Sequence, residues 1–159
     1  MSQLNNFPQQ TVRESEDELI QDALDILETR LRKPGIYISE PISICNYLKL
    51  HLAEREHEVF GMISIDARGC FLHNHELFRG TLTQCAMYPR EVIKEALSVN
   101  ACSVVIYHNH PSGIAAPSRE DHTLTAAVRK ALEVIDVKVH DHIIVAGLST
   151  YSFHEHGHL

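Results

Sequence analysis

The sequence predicts an α/β (α+β) fold, a mixed β-sheet covered by helices. Three observations carry that expectation. Four stretches repeat apolar residues at helical spacing, and five shorter apolar runs bounded by turn residues read as strands. The segments come in the order helix, helix, hairpin, helix, strand, helix, strand, strand, an alternation that layers helices on a sheet. No linker-like stretch interrupts the 159 residues, a length suited to one domain with a real core.

Residues 1 to about 12 are polar and are expected to be disordered or loosely docked. The first helix spans Ser15 to Arg32, with Leu19, Ile20, Ala23, Leu24, Leu27 and Leu31 on one stripe. Ser15-x-x-Glu18 offers a capping box ahead of it, and Pro34-Gly35 stops it. Residues 1–37 thus read as a polar segment and helix preceding a domain of residues 38–159. A second helix starts near Ser39-Glu40-Pro41 and turns Ile42, Ile44, Cys45, Leu48 and Leu52 inward. Glu58 to Ile65 is a buried strand, Asp66-Ala67-Arg68-Gly69 a hairpin turn, and Cys70 to Phe78 the returning strand. Arg79 to Thr83 is extended or looping. Pro89 opens a helix to about Val99 that presents Val92, Ile93, Ala96 and Leu97 to the core, and Asn100 closes it in a left-handed conformation. The strand Val104–Tyr107 leads into His108, a loop follows, and a helix runs from Ser118 to about Val134. Val137–Val145 and Tyr151–Phe153 are extended segments flanking Ala146-Gly147.

A net charge of −7 gives no support to a nonspecific grip on nucleic acid, which needs a basic surface. No apolar run approaches a membrane span, and the polar start Met-Ser-Gln-Leu-Asn-Asn lacks signal-peptide character, so a cytoplasmic protein is expected. Cys45, Cys70, Cys85 and Cys102 are scattered, with no Cys-x-x-Cys, and read as reduced, mostly buried thiols. None sits in a turn or helix start that would activate a nucleophile. Twelve histidines are many for this length and hint at metal chemistry.

The chemistry concentrates between His108 and Asp121. Residues two apart on a strand share a face, so His108 and His110 present both imidazoles to one side. Pro111, Gly113 and Pro117 stiffen the loop, and Asp121 falls in the first turn of the next helix. Two imidazoles and a carboxylate then converge from two rigid elements with a fourth position open, the arrangement catalytic zinc uses. A competing explanation covers part of this. Ser118-Arg119-Glu120-Asp121 fits the capping-box pattern, which accounts for Ser118 and Asp121 without any metal. Ser118 taken singly is a cap; Asp121 beside His108 and His110 is read as a ligand.

Most His-x-His pairs bind nothing, and this chain holds several. His73-Asn74-His75 lies on the hairpin and His140-Asp141-His142 on a late strand. The C-terminal His154-Glu155-His156-Gly157-His158 satisfies His-Glu-x-x-His literally. That motif needs a helix to align its histidines, and the last six residues, with Gly157 among them, provide none. A frayed tail of this kind binds metal only adventitiously. A zinc deaminase would need His-x-Glu followed by Pro-Cys-x-x-Cys, and neither half is present in a usable arrangement.

These residues resemble a known family. His108-x-His110-Pro111, seven residues from His110 to Ser118, then x-x-Asp121, looks like the JAMM (MPN+) metalloprotease motif. His-Asn-His-Pro-Ser-Gly with Pro-Ser-x-x-Asp resembles the RadC-like branch of that superfamily. Further matches are Gly80-Thr81, Tyr88-Pro89-Arg90-Glu91-Val92, Lys94-x-Ala96-Leu97, Asp141-His142 and Ser152-Phe153. The likeness covers roughly the last two-thirds of the chain, from about Leu52 onward. It implies a JAB/MPN-type curved mixed sheet packed between helices, cytidine-deaminase-like in architecture. One Zn²⁺ per chain would sit at the end of the central strands, held by His108, His110 and Asp121. The resemblance also implies a glutamate on an early strand that orders the water on the zinc. Glu58 matches that position, and Glu56 is the alternative, on the same side of a strand. RadC-like proteins often carry helix-hairpin-helix elements suited to DNA. Their Gly-rich signature is missing here, so a short, single-domain member is expected, and a DNA-repair role rests on the family name alone.

The function expected is that of a zinc-dependent metallopeptidase or isopeptidase acting on a peptide or protein. Glu58 would be the general base. Ser118, if free of its capping duty, would donate to the oxyanion. His142 would either orient a ligand from behind or pack as a structural histidine. The rival is a non-catalytic scaffold, with or without metal, that recognises a protein or nucleic-acid partner.

Overall fold

The protein is described by a computed structural model covering residues 7–33, 41–53, 55–80 and 88–159. Its elements are α1 (Phe7–Leu31), α2 (Pro41–Leu52), β1 (Val59–Ile65), β2 (Phe71–Arg79), α3 (Pro89–Ser98), β3 (Ser103–Asn109), α4 (Arg119–Glu133), β4 (Lys138–Ala146) and β5 (Ser149–Ser152). The strands form one sheet in the order β2-β1-β3-β4-β5. β3 and β4 are parallel, joined through α4, and the other neighbours are antiparallel. This is the mixed, helix-covered sheet that the alternation predicted.

Alternate residues of the sheet feed two cores. Val59, Ile63, Ile65, Val105, Tyr107, Ile143 and Val145 pack with Ile44, Leu48 and Leu52 of α2 and Leu31 of α1. Phe60, Met62, Val104 and Ile106 pack on the other side with Val92 and Ala96 of α3 and Val128 and Leu132 of α4. Strands covered on both faces read as continuous apolar runs, and β1 and β3 are buried along their whole length. His108 falls on the α3/α4 side, where α4 carries Asp121.

Several details depart from expectation. α1 starts at Phe7, not Ser15, because nothing between Pro8, tolerated in a first turn, and Lys33 breaks a helix. Ser15 is therefore interior; its hydroxyl donates to the Val12 carbonyl at 2.8 Å, and the expected capping box does not form. Leu19 is exposed, since residues 12–19 lie beyond the body of the domain, whereas Leu24 and Leu27 pack on the core. In α2, Ile42 sits about 200° round the helix from Ile44 and faces water, and Tyr47 is buried instead. Leu97 is likewise exposed. Asn100 does close α3 with a φ of 51°. The C-terminal residues are not frayed: they fold into turns, with the His158 amide donating to the Phe153 carbonyl at 2.9 Å. Cys70 is buried, Cys45 half-buried and Cys102 exposed. Pro34-Gly35, Ser39-Glu40, Thr81 to Thr83 and Cys85 lie outside the described residues. Among the described residues no helix is long and apolar enough to cross a membrane.

A polar chain joins α1 and α2 to the sheet. The Tyr107 hydroxyl donates to Asn74 Oδ1 at 2.7 Å, Asn74 Nδ2 donates to the Tyr47 hydroxyl at 3.0 Å, and that hydroxyl donates to Glu28 at 3.0 Å. Gly61 makes this reach available. A Cβ there would stand 2.2 Å from Tyr107 Cζ and 2.7 Å from the His75 carbonyl. Gly61→Ala should therefore destabilise the fold by about 3 kcal/mol or more, since neither a buried ring nor backbone can give way. Tyr107→Phe, which keeps the volume and loses one hydrogen bond, should cost about 1 kcal/mol. Urea unfolding of the two variants checks the order.

Candidate metal centre

The centre lies where β3 ends and α4 begins, outside the carboxyl end of a central strand, a usual place for sites in open α/β sheets. His108 is the penultimate residue of β3, pairs with Phe60 of β1 and Ile144 of β4, and is fully buried. The His110 amide prolongs the ladder by donating to the Val145 carbonyl at 2.8 Å. Its ring is held by a second bond, Nδ1 to the Ile114 carbonyl at 2.8 Å, made within the Pro111–Pro117 loop. That bond makes Nδ1 the donor and turns Nε2 toward His108, 2.9 Å from its Nε2.

Asp121 completes the group from α4 and is itself buried. Its two oxygens are engaged differently. Oδ2 accepts from the Ser118 amide and from the Ser118 hydroxyl, each at 2.7 Å, and the Ser118 hydroxyl accepts from the Asp121 amide at 3.1 Å. Oδ1 lies 3.1 Å from His108 Nε2. The capping box forms, and the same carboxylate still turns Oδ1 toward the histidines. Burial disfavours the charge on Asp121, but the imidazoles of His108 and His110 beside it and the hydrogen bond from Ser118 together hold it far below the usual carboxylate range. The Asp121 carboxylate raises the His110 pKa against the opposing effect of burial, with help from the Ile114 carbonyl and the charge of Glu58.

Ligand atoms of His108, His110 and Asp121 all lie within 4.8 Å of one another. Two imidazole nitrogens and a carboxylate oxygen at that spacing fit a divalent first-row ion such as zinc. The donor set is the one the sequence singled out.

Behind the ligands stands His142 of β4, also fully buried. Its Nε2 is 2.8 Å from His108 Nδ1 and its Nδ1 is 2.6 Å from the Thr125 hydroxyl. Burial pushes the His142 pKa well down. Phe153 stacks on its ring at 4.7 Å, and Asp141 anchors the backbone beneath, accepting from the His142 amide, the His154 amide and the Ser152 hydroxyl. Of the two roles the sequence allowed, the contact with His108 is the one observed. Thr125 was missed. Its signal was a polar residue on the otherwise apolar buried stripe of α4, four residues from Asp121.

Glu58 immediately precedes β1. The β1–β3 register, which pairs Phe60 with His108, carried two residues on, sets Glu58 opposite His110 on the same face. Glu58 is half-buried, whereas Glu56 lies in a bend and is exposed. The residue that holds this segment was also missed. Asn109, between the two histidines, points to the other face; its Oδ1 accepts from the Val59 amide at 2.7 Å, and its Nδ2 donates to the His57 and Arg55 carbonyls at 3.0 and 3.3 Å. The Glu58 carbonyl accepts from the Gly80 amide at 2.9 Å. A buried Asn in a strand, needing partners, was the available clue.

The histidines of the hairpin and of the C-terminus have other partners. His75 pairs with Glu95 of α3 at 2.5 Å, and His73 packs against its ring. His156 Nδ1 bonds the Ser152 carbonyl, and His158 contacts the Tyr151 hydroxyl.

Comparison with known proteins agrees with this geometry. The family model described as RadC-like JAB domain matches residues 38–158. A UPF0758 protein of Janthinobacterium sp. (strain Marseille) is 49% identical over 125 residues, 79% of this chain and 56% of that protein. The UPF0758 protein YkfG of Escherichia coli (strain K12) is 39% identical over 157 residues, 99% of each chain. A UPF0758 protein of Dechloromonas aromatica (strain RCB) is 52% identical over 120 residues, 75% of this chain and 53% of that protein. The chain thus spans little more than half the length of several of these relatives. With the match running through the hairpin, His108–Asp121 and the Asp141–Phe153 support, the chain belongs to the RadC-like JAB domain family.

Proposed function

We propose that this chain is a zinc-dependent hydrolase of amide bonds, a metallopeptidase or isopeptidase acting on a peptide or protein. The observation that carries the reading is the convergence of His108, His110 and Asp121 within ligand distance at the end of β3. Membership of a JAB-domain family and a carboxylate opposite His110 add to it. Cys45, Cys70 and Cys102 are free thiols, which suits a reducing compartment, and we place the reaction in the cytoplasm.

His108, His110 and Asp121 would hold zinc, which would supply Lewis acidity and a water of pKa about 7. Glu58 accepts the proton from the attacking water and returns it to the departing amine nitrogen, so one carboxylate acts first as base and then as acid. Asn109 and Gly80 hold the backbone on either side of it, which fixes where the carboxylate can reach. Ser118 is committed to Asp121 by both its proton and its lone pair; donating to an oxyanion requires it to leave Oδ2, so its first task is to hold the ligand.

Purified protein should contain one zinc per chain by elemental analysis, and His108→Ala or Asp121→Ala should abolish it. Glu58→Gln should retain zinc and fold while losing about 10²–10⁴-fold in hydrolysis of quenched-fluorescence peptides or isopeptide-linked lysine peptides. Zinc bound stoichiometrically by a wild-type chain that cleaves neither class would overturn the hydrolase reading in favour of a metal-bound scaffold. Asn109→Ala should lower kcat with little change in zinc content, separating the placing of Glu58 from metal binding. Because the Asp121 carboxylate raises the His110 pKa above its ordinary value, zinc must compete with a proton for that ring. Its affinity should fall by roughly tenfold per pH unit on acidification below that pKa, as titration calorimetry at several pH values would read.

A further inference from the structure

His108 can bind a metal through Nε2 only if its proton resides on Nδ1. A neutral imidazole carries one proton, and the partner of the second nitrogen decides which. In this protein that partner is His142, whose own proton is placed by Thr125.

The assignment starts from two oxygens. The Thr125 hydroxyl and the Asp121 main-chain carbonyl are 2.6 Å apart, a separation that requires a proton between them. The carbonyl has none, so the hydroxyl donates to it. Having committed its single proton, Thr125 can only accept from His142 Nδ1, which lies 2.6 Å away. His142 therefore carries its proton on Nδ1. It is fully buried between Phe60 and Phe153, and the neighbouring Asp141 carboxylate is turned to the backbone amides of His142 and His154 and to the Ser152 hydroxyl. Among the described residues no carboxylate contacts the ring, and the one proton it needs to satisfy Thr125 sits on Nδ1. Its Nε2 is then a bare lone pair, and His108 Nδ1 at 2.8 Å must be the donor. One direction runs through the whole chain: His108 to His142 to Thr125 to the Asp121 carbonyl.

We propose that Thr125, acting through His142, is a positioning residue that fixes the tautomer of His108 and so keeps its Nε2 free for a metal ion. The chain ends on the main chain of Asp121, so two ligands from different elements are tied together by a path other than the ion. The inference rests on the same ligand set as the hydrolase reading but concerns proton placement, and it stands or falls without any turnover.

Thr125→Val keeps the branched shape and removes the hydroxyl, while Thr125→Ser restores it. Nitrogen NMR of ¹⁵N-histidine-labelled, metal-free protein distinguishes the two tautomers of each ring. In wild type and Thr125→Ser, His108 and His142 should both be protonated on Nδ1. In Thr125→Val the preference should be lost, and zinc affinity, measured by competition with a chelator, should fall by about 10–100-fold. A merely structural threonine would lower the thermal stability of the metal-free variant and leave the His108 tautomer unchanged. Finding His108 protonated on Nε2 in the wild type would overturn the proposal, as would a folded Thr125→Val with wild-type zinc affinity. A chain that binds zinc tightly with the Nδ1–H tautomer yet cleaves nothing would sink only the hydrolase reading.

Discussion

Three electron-rich atoms are held facing one another at the end of β3, where burial leaves little water to separate them. His108 Nε2 lies 2.9 Å from His110 Nε2 and 3.1 Å from Asp121 Oδ1. Bringing such groups together out of water is unfavourable by several kcal/mol unless a proton or a cation sits among them. Much of the surrounding architecture serves to enforce it. β3 is central and paired on both sides, the Pro111–Pro117 loop returns the Ile114 carbonyl to His110, and α4 delivers Asp121 with its first turn already capped.

The division of labour along β3 follows from the pleat. Even-numbered residues Phe60 and His108 lie on the α3/α4 side, and His110 continues that row. Asn109, on the opposite side, serves the site indirectly by clasping the segment that carries Glu58. One tripeptide thus furnishes two ligands on one face and the fastening of a third functional group on the other. The same alternation explains why Gly61 and Tyr107, one residue off the ligand row, belong to a different network that binds α1 and α2.

Much of this was legible in the sequence, for identifiable reasons. Element types and order came from strong periodicity and clear stops, and the ligand triad from a His-x-His followed by two prolines and a helix start. Helix α1 starts before Ser15-x-x-Glu18: that pattern has the form of a cap, and form alone does not say whether the preceding residues are helical as well. Ile42 and Leu97 were assigned inward because apolar character was counted without their angle on the helix. Thr125 and Asn109 escaped because each works through a partner about seventeen or fifty residues away, a separation that no local pattern encodes. Ser118 and Asp121 fit two patterns at once; the fold forms the cap and leaves Asp121 Oδ1 facing the histidines.

That double use has a consequence for how occupancy communicates with the helix. Asp121 offers Oδ1 to the cluster and Oδ2 to the amide of Ser118, so any charge gained or lost beside Oδ1 alters the strength of the bond at Oδ2. The first turn of α4 is therefore a built-in gauge. The amides of Ser118 and Asp121, bonded into that cap, feel the charge beside the carboxylate's other oxygen.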